Sequence, residues 1–304
     1  MTGENTCIVV CGPTAVGKTR VAIEIAKHFQ TSIISADSRQ CYKELNIGVA
    51  RPSPQELSEC PHYFIASHSV HENITAAFFE KYALSLCEDL FRFNSRVVMV
   101  GGTGLYIKAF CEGLDEVPPA SAPIRAAVEA AYKDHGIQWL ADELRMKDPL
   151  FCQQGEMENP RRMSRALEVV MQTGRSILSF HSAKAVKRPF RIIKIGLELP
   201  RPQQYERINL RTDEMFGNGL VDEVRSLQPY ENLNALQTVG YTEIFSFLRG
   251  EVSLEEAKEL IKRNTRRYAK RQLTWFKKDQ DISWFPPQVE ALIEFLQKES
   301  AGYR

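Results

Sequence analysis

The sequence predicts an α/β protein in which a mostly parallel β-sheet is flanked by helices, with a helical insertion domain and a helical C-terminal region. Three observations predict this fold. Apolar runs alternate with helical patterns through the first 114 residues, as in parallel sheets whose connections are helices. A glycine-rich loop separates the first apolar run from the first helical pattern. Finally, the run RPFRIIKIGLELP at 188–200 follows a long helical stretch as a late strand.

The composition is ordinary for a globular protein. Of the 304 residues, 43% are hydrophobic and 25% are charged, and the formal net charge is +1. No apolar run approaches the roughly 20 residues of a membrane helix, and no basic region precedes the apolar stretch of MTGENTCIVVCG. We therefore expect neither a membrane span nor a signal peptide. The seven cysteines never form C-x-x-C, so we expect no structural zinc site and a reducing, cytoplasmic location.

The first predicted strand, CIVVC at 7–11, leads into a loop that is suited to phosphate. The loop matches G-x-x-x-x-G-K-[ST] and consists of Gly12, Pro13, Thr14, Ala15, Val16, Gly17, Lys18 and Thr19. Between a strand and a helix, the N–H groups of such a loop and the helix N-terminus face an anion. Lys18 adds a positive charge, and the hydroxyl of Thr19 suits Mg²⁺. The sequence therefore predicts a P-loop-type fold with a phosphate site, and leaves open which molecule carries the phosphate.

Four further elements are predicted before residue 114. They are a short strand at Ile33 and Ile34, a strand within 62–70, a helix over 75–93 and a strand that opens RVVMVGGTGLY. In parallel α/β sheets, ligands bind beyond the carboxyl ends of the strands. The loop at 12–19, Asp37 and the turn at 101–103 each follow a predicted strand. We therefore expect these three segments to share one crevice.

The domain boundaries follow from a change in composition. EGLDEVPPASAP, at 112–123, is rich in proline and small residues and is typical of a linker. The stretch 124–182 is helical in pattern, and 203–278 is helical as well. We therefore interpret 115–187 as a helical insertion domain. Residues 1–114 and 188–304 together are interpreted as the catalytic α/β domain with its C-terminal helices.

Asp37 and Thr103 each have more than one interpretation. An acid at the end of a strand near phosphates can help to hold Mg²⁺ or can take a proton from a substrate. It can equally cap backbone N–H groups of its own loop. Thr103 can cap the helix that follows the two glycines, or its hydroxyl can bind a phosphate or a leaving oxygen. Position alone does not decide between these roles.

Arg207 and Arg211 lie four residues apart, so they occupy one face of a predicted helix. Such arginines usually pair with nearby acids, here Glu206 or Asp213. The alternative is a phosphate clamp, because a guanidinium binds phosphate through two parallel hydrogen bonds.

Two stretches are strongly basic. NPRRMSRALE at 159–168 places three arginines within about one helical turn. The segment KRNTRRYAKRQLTWFKK at 262–278 contains no acid. A charge run of this kind is either a solvated helix face or a surface for a polyanion. Ile261, Tyr268 and Trp275 recur every seven residues on the opposite side of this helix, where we expect them to meet a core.

Five segments, taken together, resemble the tRNA dimethylallyltransferases. They are GPTAVGKT, SADSRQCYKELNIGVARP, VGGTGLYIKA, RRMSRALEV and TVGYTEI, in that order, within a match from about residue 7 to about residue 280. The resemblance implies transfer of a five-carbon prenyl group from dimethylallyl diphosphate to the exocyclic amine of the adenosine 3′ of the tRNA anticodon. It also implies Mg²⁺ as cofactor and the tRNA anticodon stem-loop as partner. Apart from the resemblance, we expect a monomer.

The resemblance also implies roles for individual residues. The loop at 12–19 would hold the diphosphate, with Mg²⁺ near Thr19. Asp37 would be the general base, Thr103 and Arg125 would lie close to the reacting groups, and Arg211 would contact the diphosphate.

The residues that the resemblance places against tRNA lie in three segments, to which we add three arginines of the basic helix. They are Asp37, Ser38, Arg39, Gln40, Arg161, Arg162, Met163, Ser164, Arg165, Gln237, Thr238, Val239, Gly240, Tyr241, Thr242, Arg266, Arg267 and Arg271. Two other classes of protein stay open. A P-loop kinase of a small metabolite would bind ATP tightly, and a non-catalytic RNA-binding protein would bind tRNA without consuming a prenyl donor.

Overall fold

A parallel β-sheet forms the centre of the first structural unit. The structure is a computed structural model that describes residues 4–181 and 186–301. Within these residues, the sheet contains the strands β1 (Thr6–Cys11), β2 (Ile33–Ser35), β3 (His62–Tyr63), β4 (Arg96–Gly101), β5 (Arg191–Leu197) and β6 (Ile282–Phe285). The strand order is β3-β2-β4-β1-β5-β6, and each neighbouring pair is parallel. The predicted mostly parallel sheet is confirmed.

Helices make up most of the remaining described chain. They are α1 (Lys18–His28), α2 (Pro54–Glu59), α3 (Ala76–Leu90), α4 (Gly104–Glu112), α5 (Ala122–Lys147), α6 (Pro149–Gln154), α7 (Pro160–Thr173), α8 (Arg201–Gly217), α9 (Leu220–Ser226), α10 (Tyr241–Leu248), α11 (Leu254–Phe276) and α12 (Val289–Ala301). In the described ranges, none of them combines the length and the apolar composition that a membrane crossing requires.

The central position of β1 follows from its sequence. All six residues of TCIVVC are buried, as expected for a parallel strand that is covered on both faces. Ile8 lies in register with Val98 of β4 on one side and Ile193 of β5 on the other. The apolar residues of α1 and α12 pack against this part of the sheet and complete its core.

The chain divides into two compact units, one formed by 1–111 with 187–304 and the other by 112–186. The second unit has its own core, in which buried residues of α5 and α7 meet; Leu140, Leu144 and Met163 are fully buried there. The two ends of this unit are joined, because Val186 N donates a hydrogen bond to Glu112 O at 2.7 Å.

Two expectations about secondary structure need correction. The strand expected within 62–70 is limited to His62–Tyr63. Phe64 and Ala66 have φ angles of 64° and 46°, and left-handed backbone of this kind cannot continue an extended strand. The strand β6 and the helix α12 were not predicted, because β6 is only four residues long and offers little alternation from which to detect it.

The apolar face expected on α11 is also partly wrong. Ile261 is buried as predicted, but Tyr268 is 37% exposed. The helix instead buries Ala257, Ala269, Gln272 and Phe276. α11 packs against α8 and α10, and Ala269 meets Ile208 of α8 in a small apolar cluster.

Candidate active site

The segments that follow β2 and β4 touch at the carboxyl edge of the sheet. Ala36 N donates to Val100 O at 2.7 Å, and Thr103 N donates to Ala36 O at 3.3 Å. A Cβ atom on Gly101 would overlap the carbonyl of Ala36, so only glycine allows this close approach. As a result, Asp37 and the 101–103 turn lie beside each other.

The loop between β1 and α1 is tightly curled. Gly12, Ala15 and Gly17 have φ angles of 142°, 63° and 101°. A Cβ atom on Gly12 would lie 2.6 Å from Leu197 O at the end of β5, so the loop begins against the neighbouring strand. The Lys18 ammonium folds back over the loop and donates to Pro13 O at 2.7 Å. This is the curled backbone that the glycine pattern predicted.

Three cationic side chains lie at or near this loop. Burial lowers the pKa of Lys18 to about 8; Arg211 lowers it as well, while Asp37 raises it. Burial also lowers the pKa of Arg211, against the opposing effects of Glu214 and Glu56. Arg207 lies close to Gly17, since its Nη1 is 3.7 Å from the position that a Cβ atom of Gly17 would take.

The acids suggested as partners for Arg207 and Arg211 are engaged elsewhere or form no ion pair. Asp213 pairs with Lys258 and Lys262, both at 2.9 Å. Within the described part of the chain, no carboxylate oxygen lies within 4.0 Å of the guanidinium nitrogens of Arg207 or Arg211. Lys18 and Arg211 are half-buried and Arg207 is exposed, and partial burial of a cation without an ion-pair partner is unfavourable, so this arrangement suits an anion that arrives from outside.

The carboxylate of Asp37 caps its own loop through one oxygen. Its Oδ1 accepts hydrogen bonds from Arg39 N at 2.9 Å and Gln40 N at 3.2 Å. No donor among the described residues bonds to Oδ2. The capping role considered for this residue is therefore present, and it fixes the carboxylate while leaving its second oxygen for another partner.

Thr103 uses its carbonyl and its hydroxyl differently. The carbonyl accepts from Tyr106 N at 2.9 Å and so begins α4. The hydroxyl oxygen accepts from Ser38 N at 3.0 Å, and the hydroxyl lies 3.3 Å from Ser38 Oγ. The side chain therefore does not cap the helix but ties the turn after β4 to the residue next to Asp37.

Two buried glutamines of the site were missed by sequence reasoning. Gln272 Oε1 accepts from Thr14 N at 2.8 Å, and its Nε2 donates to Gly102 O at 2.8 Å. Gln204 Nε2 donates to Thr14 O at 3.0 Å. Both polar groups of the Thr14 backbone are thus held by helices α11 and α8. A glutamine within a charged, helical stretch gives no signal that separates this role from an exposed one.

Two of the segments expected to contact tRNA meet at the loop 46–50. Glu223 of α9 accepts hydrogen bonds from Ile47 N at 2.7 Å, Gly48 N at 3.0 Å and the Tyr241 hydroxyl at 2.6 Å. Gln40 Nε2 donates to the carbonyls of residues 49 and 50 from the other side. Tyr241 is fully buried, so its side chain shapes this loop and has no surface to offer to RNA.

The other residues of the 237–242 segment differ in exposure. Gln237 is exposed, Thr238, Val239 and Thr242 are half-buried, and Gly240 is buried with a φ angle of 99°. Gly240 N donates to Glu243 Oε2 at 2.8 Å and so begins α10. Only Gln237 therefore presents a largely accessible side chain in this segment.

The basic run of α11 is compensated in part by acids distant in sequence. Lys262 pairs with Asp213 of α8, and Arg266 donates to Asn209 Oδ1 at 2.7 Å. Among the described residues of α11, the exposed cations that form no ion pair are Arg263, Arg267, Lys270 and Arg271, and Lys278, just beyond the helix, is exposed and forms none either. The free charge of this helix is therefore smaller than the sequence indicated, and it is concentrated over 263–271.

The remaining predicted site residues lie in the second unit. Arg125 Nε donates to Ala120 O at 3.1 Å, Arg162 pairs with Glu156, and Arg165 donates to Pro118 O at 3.2 Å. Arg161 is exposed and Ser164 is half-buried. Met163 is fully buried in the core of this unit, which leaves no surface of its side chain for RNA.

A metal ion at this site would have few protein ligands. The described ranges contain no group of three or more His, Cys, Asp or Glu side chains that could hold one. The half-buried hydroxyl of Thr19, in the first turn of α1, is an oxygen of the type that Mg²⁺ accepts. Because Mg²⁺ usually takes one or two protein oxygens together with phosphate oxygens and waters, such a sparse set fits Mg²⁺ bound alongside a diphosphate.

Known proteins are similar to this chain in both sequence and fold. The family model of IPP transferase matches residues 40–279. tRNA dimethylallyltransferase 1 of Bacteroides thetaiotaomicron is 43% identical over 296 residues, covering 97% of this chain and 96% of that protein. The tRNA dimethylallyltransferase of Christiangramia forsetii is 47% identical over 282 residues, covering 93% of each.

Solved structures agree with these relatives. The full-length tRNA isopentenylpyrophosphate transferase of Bacillus halodurans is 34% identical, with a TM-score of 0.72 over 98% of this chain and 96% of that chain. A eukaryotic dimethylallyltransferase acting on tRNA has the same fold, with a TM-score of 0.77 at 23% identity over 95% of this chain and 75% of that chain. The sequence match over most of its length and the shared fold lead to one conclusion: the chain belongs to the IPP transferase family.

Proposed function

We propose that this protein transfers a dimethylallyl group from dimethylallyl diphosphate to the exocyclic amine of the adenosine 3′ of a tRNA anticodon, and releases diphosphate. The observation that carries the proposal is the set of cations at the 12–19 loop on the same sheet edge as Asp37. Lys18, Arg207 and Arg211 form no ion pair with any carboxylate among the described residues. The names of the similar proteins support the choice of tRNA and of a prenyl donor.

The donor half of the reaction needs stabilisation of a leaving anion. As the bond between the allylic carbon and the diphosphate oxygen breaks, its electron pair stays on the oxygen and negative charge grows on the diphosphate. The N–H groups of the 12–19 loop other than that of Thr14, which bonds to Gln272, lie at this site together with Lys18 and Arg211 before the bond breaks, so they stabilise that charge with little reorganisation. The allylic carbon meanwhile becomes electron-poor and is attacked by the amine.

The acceptor half needs a base. The amine nitrogen forms the new bond to carbon with its lone pair and must then lose a proton. Asp37 Oδ2 receives that proton, since Oδ1 is already held by two backbone N–H groups. Thr103 holds the adjacent Ser38, which keeps the segment that carries Asp37 against the turn after β4.

Mg²⁺ is part of this proposal. Thr19 would hold the ion together with the diphosphate, where it would neutralise charge on the phosphate oxygens. The proposal is supported by the half-buried hydroxyl of Thr19 in the first turn of α1, because Mg²⁺ is commonly bound through one or two protein oxygens together with phosphate oxygens and waters.

For RNA, we propose that the exposed cations of α11 and the arginines of the 161–165 segment bind the backbone of the anticodon stem-loop. The target adenosine must leave its stack to reach Asp37, which costs less in a single-stranded loop than in a duplex. We further propose a monomer in the cytoplasm, with residues 115–187 acting as an RNA-binding insertion.

The decisive experiment is to incubate the protein with Mg²⁺, dimethylallyl diphosphate and unmodified tRNA, and to analyse the digested nucleosides by mass spectrometry. We expect one prenylated adenosine per tRNA, located 3′ of the anticodon. Lys18→Ala and Thr19→Ala should abolish it while retaining the fold, as judged by circular dichroism. The absence of any prenylated nucleoside with the unsubstituted protein, combined with tight ATP binding, would favour the kinase instead.

A further inference from the structure

The side-chain amide of Gln272 connects two separate parts of the proposed active site. Its Oε1 accepts the N–H of Thr14 in the diphosphate loop, and its Nε2 donates to the carbonyl of Gly102 in the turn after β4, both at 2.8 Å. The residue is 7% exposed. A Cβ atom on Gly102 would overlap Gln272 Nε2, so the amide and the turn are in direct contact.

These two parts serve opposite halves of the proposed reaction. The loop holds the donor. The turn after β4 contains Thr103, whose hydroxyl holds Ser38 next to Asp37, so the turn belongs to the acceptor side. Gln272 spans the gap between them from α11, the helix with the exposed basic face.

Gln204 offers an internal contrast. It also binds Thr14, through the carbonyl at 3.0 Å, but it reaches the loop from α8 and makes no bond to the turn. Gln204 therefore holds only the diphosphate loop, whereas Gln272 holds the loop and the turn after β4 at a fixed separation.

We propose that Gln272 is a positioning residue that fixes the distance between the bound prenyl diphosphate and Asp37. The inference rests on the proposed function. Reacting atoms must approach to about 3–3.5 Å, and a misplacement of about 1 Å can cost about 10²-fold in rate. The loss of the Gln272 bridge therefore lowers the rate of transfer more than it lowers the binding of either substrate.

The test measures three quantities for each variant: the single-turnover rate with both substrates saturating, the Kd of a non-reactive prenyl diphosphate analogue, and the Kd of tRNA. Gln272→Met keeps the length of the side chain and removes both hydrogen bonds. We expect its rate to fall about 10–100-fold while each Kd changes less than about threefold.

Gly102→Ala disrupts the same contact from the side of the turn, and it tests the proposal even if Gln272→Met does not fold. Gly102 is not among the glycines with positive φ, so its backbone accepts alanine, while the new Cβ displaces the Gln272 amide. The rate should fall as in Gln272→Met. The double variant should be little slower than either single one, because both remove one interaction.

Two controls separate positioning from general stability. Gln204→Met should weaken binding of the analogue and lower the rate at saturation less than Gln272→Met does. Asn94→Leu removes a side-chain amide that likewise bonds two backbone carbonyls, Phe29 O at 2.9 Å and Gln30 O at 3.0 Å, at the amino end of β4. It should lower the Tm and leave the transfer rate unchanged.

The proposal is overturned if Gln272→Met and Gly102→Ala transfer at the wild-type rate at saturation. It is also overturned if their loss is fully explained by weaker binding of the analogue. A wild-type protein that prenylates no RNA at all would refute the proposed function, which is a different outcome.

Discussion

Lys18 loses its proton in an accessible pH range, so binding of the diphosphate should depend on pH. Burial lowers its pKa from the ordinary 10.5 to about 8. An anion binds to the protonated ammonium, and the diphosphate itself is already ionised above about pH 7. Lys18 of the free protein is about nine-tenths protonated at pH 7 and about one-tenth protonated at pH 9, so the affinity should fall about tenfold between these values.

Isothermal titration with a non-reactive prenyl diphosphate analogue measures this effect. Near pH 8, the dependence of the binding enthalpy on buffer ionisation should show uptake of about half a proton. Lys18→Gln should bind more weakly and with no pH dependence in this range. Arg211 lowers the pKa of Lys18 and Asp37 raises it, so Arg211→Gln should move the midpoint to higher pH and Asp37→Asn to lower pH. An affinity of the wild-type protein that stays constant from about pH 7 to about pH 9 would refute the reasoning.

Three further predictions follow from the same geometry. Asp37→Ala should lower the single-turnover rate about 10²–10⁴-fold, the range for loss of a general base, with little change in tRNA affinity; near-normal turnover would show that Asp37 only caps its loop. Replacing Arg267, Lys270 and Arg271 by glutamine should flatten the log–log salt dependence of tRNA binding by about 2 units, at about 0.7 per contact. The control Lys262→Gln should change this slope little, because the Lys262 charge is already paired with Asp213. Equal slopes in the parent and the triple variant would show that these residues form a solvated helix face. In the unliganded protein, stability should rise as the pH increases from about 8 to 10.5, because the unfolded chain binds the Lys18 proton more tightly there; denaturant unfolding should show this slope reduced in Lys18→Gln.

Local sequence patterns predicted the strand, the loop and the turn that form the site. The buried strand β1, the curled loop and the adjacency of Asp37 to the turn after β4 all follow from short apolar runs and from the rule that parallel strands end at one edge. Each strand and turn is encoded by neighbouring residues, and the general rule for parallel sheets supplies the adjacency of their ends. Fold class and the location of the candidate site were therefore accessible from the sequence.

Contacts between distant segments were not accessible in this way. Gln272 and Thr14 are 258 positions apart, and a polar residue in a helix is ordinarily expected at the surface. The same limit explains why the sequence overstated the free charge of α11. Its basic run contains no acid, but Asp213 on α8 pairs with Lys258 and Lys262. Tyr268 has helical spacing with Ile261, yet the heptad pattern could not show which of its positions would meet α8 and α10.

The hydrogen bond between Val186 N and Glu112 O closes the ends of the second unit on each other. In the first unit, the Arg188 guanidinium donates to Ala109 O at 2.7 Å and Phe110 O at 2.7 Å, so the last turn of α4 is capped by the residues that lead into β5. The bonds of Arg188 thus join the two points at which the chain leaves and re-enters the first unit, and they involve no residue of the second unit. Because adding residues to a closed loop costs little extra entropy, we expect that residues 112–186 can be lengthened, shortened or exchanged during evolution while β1, β4 and β5 keep their register.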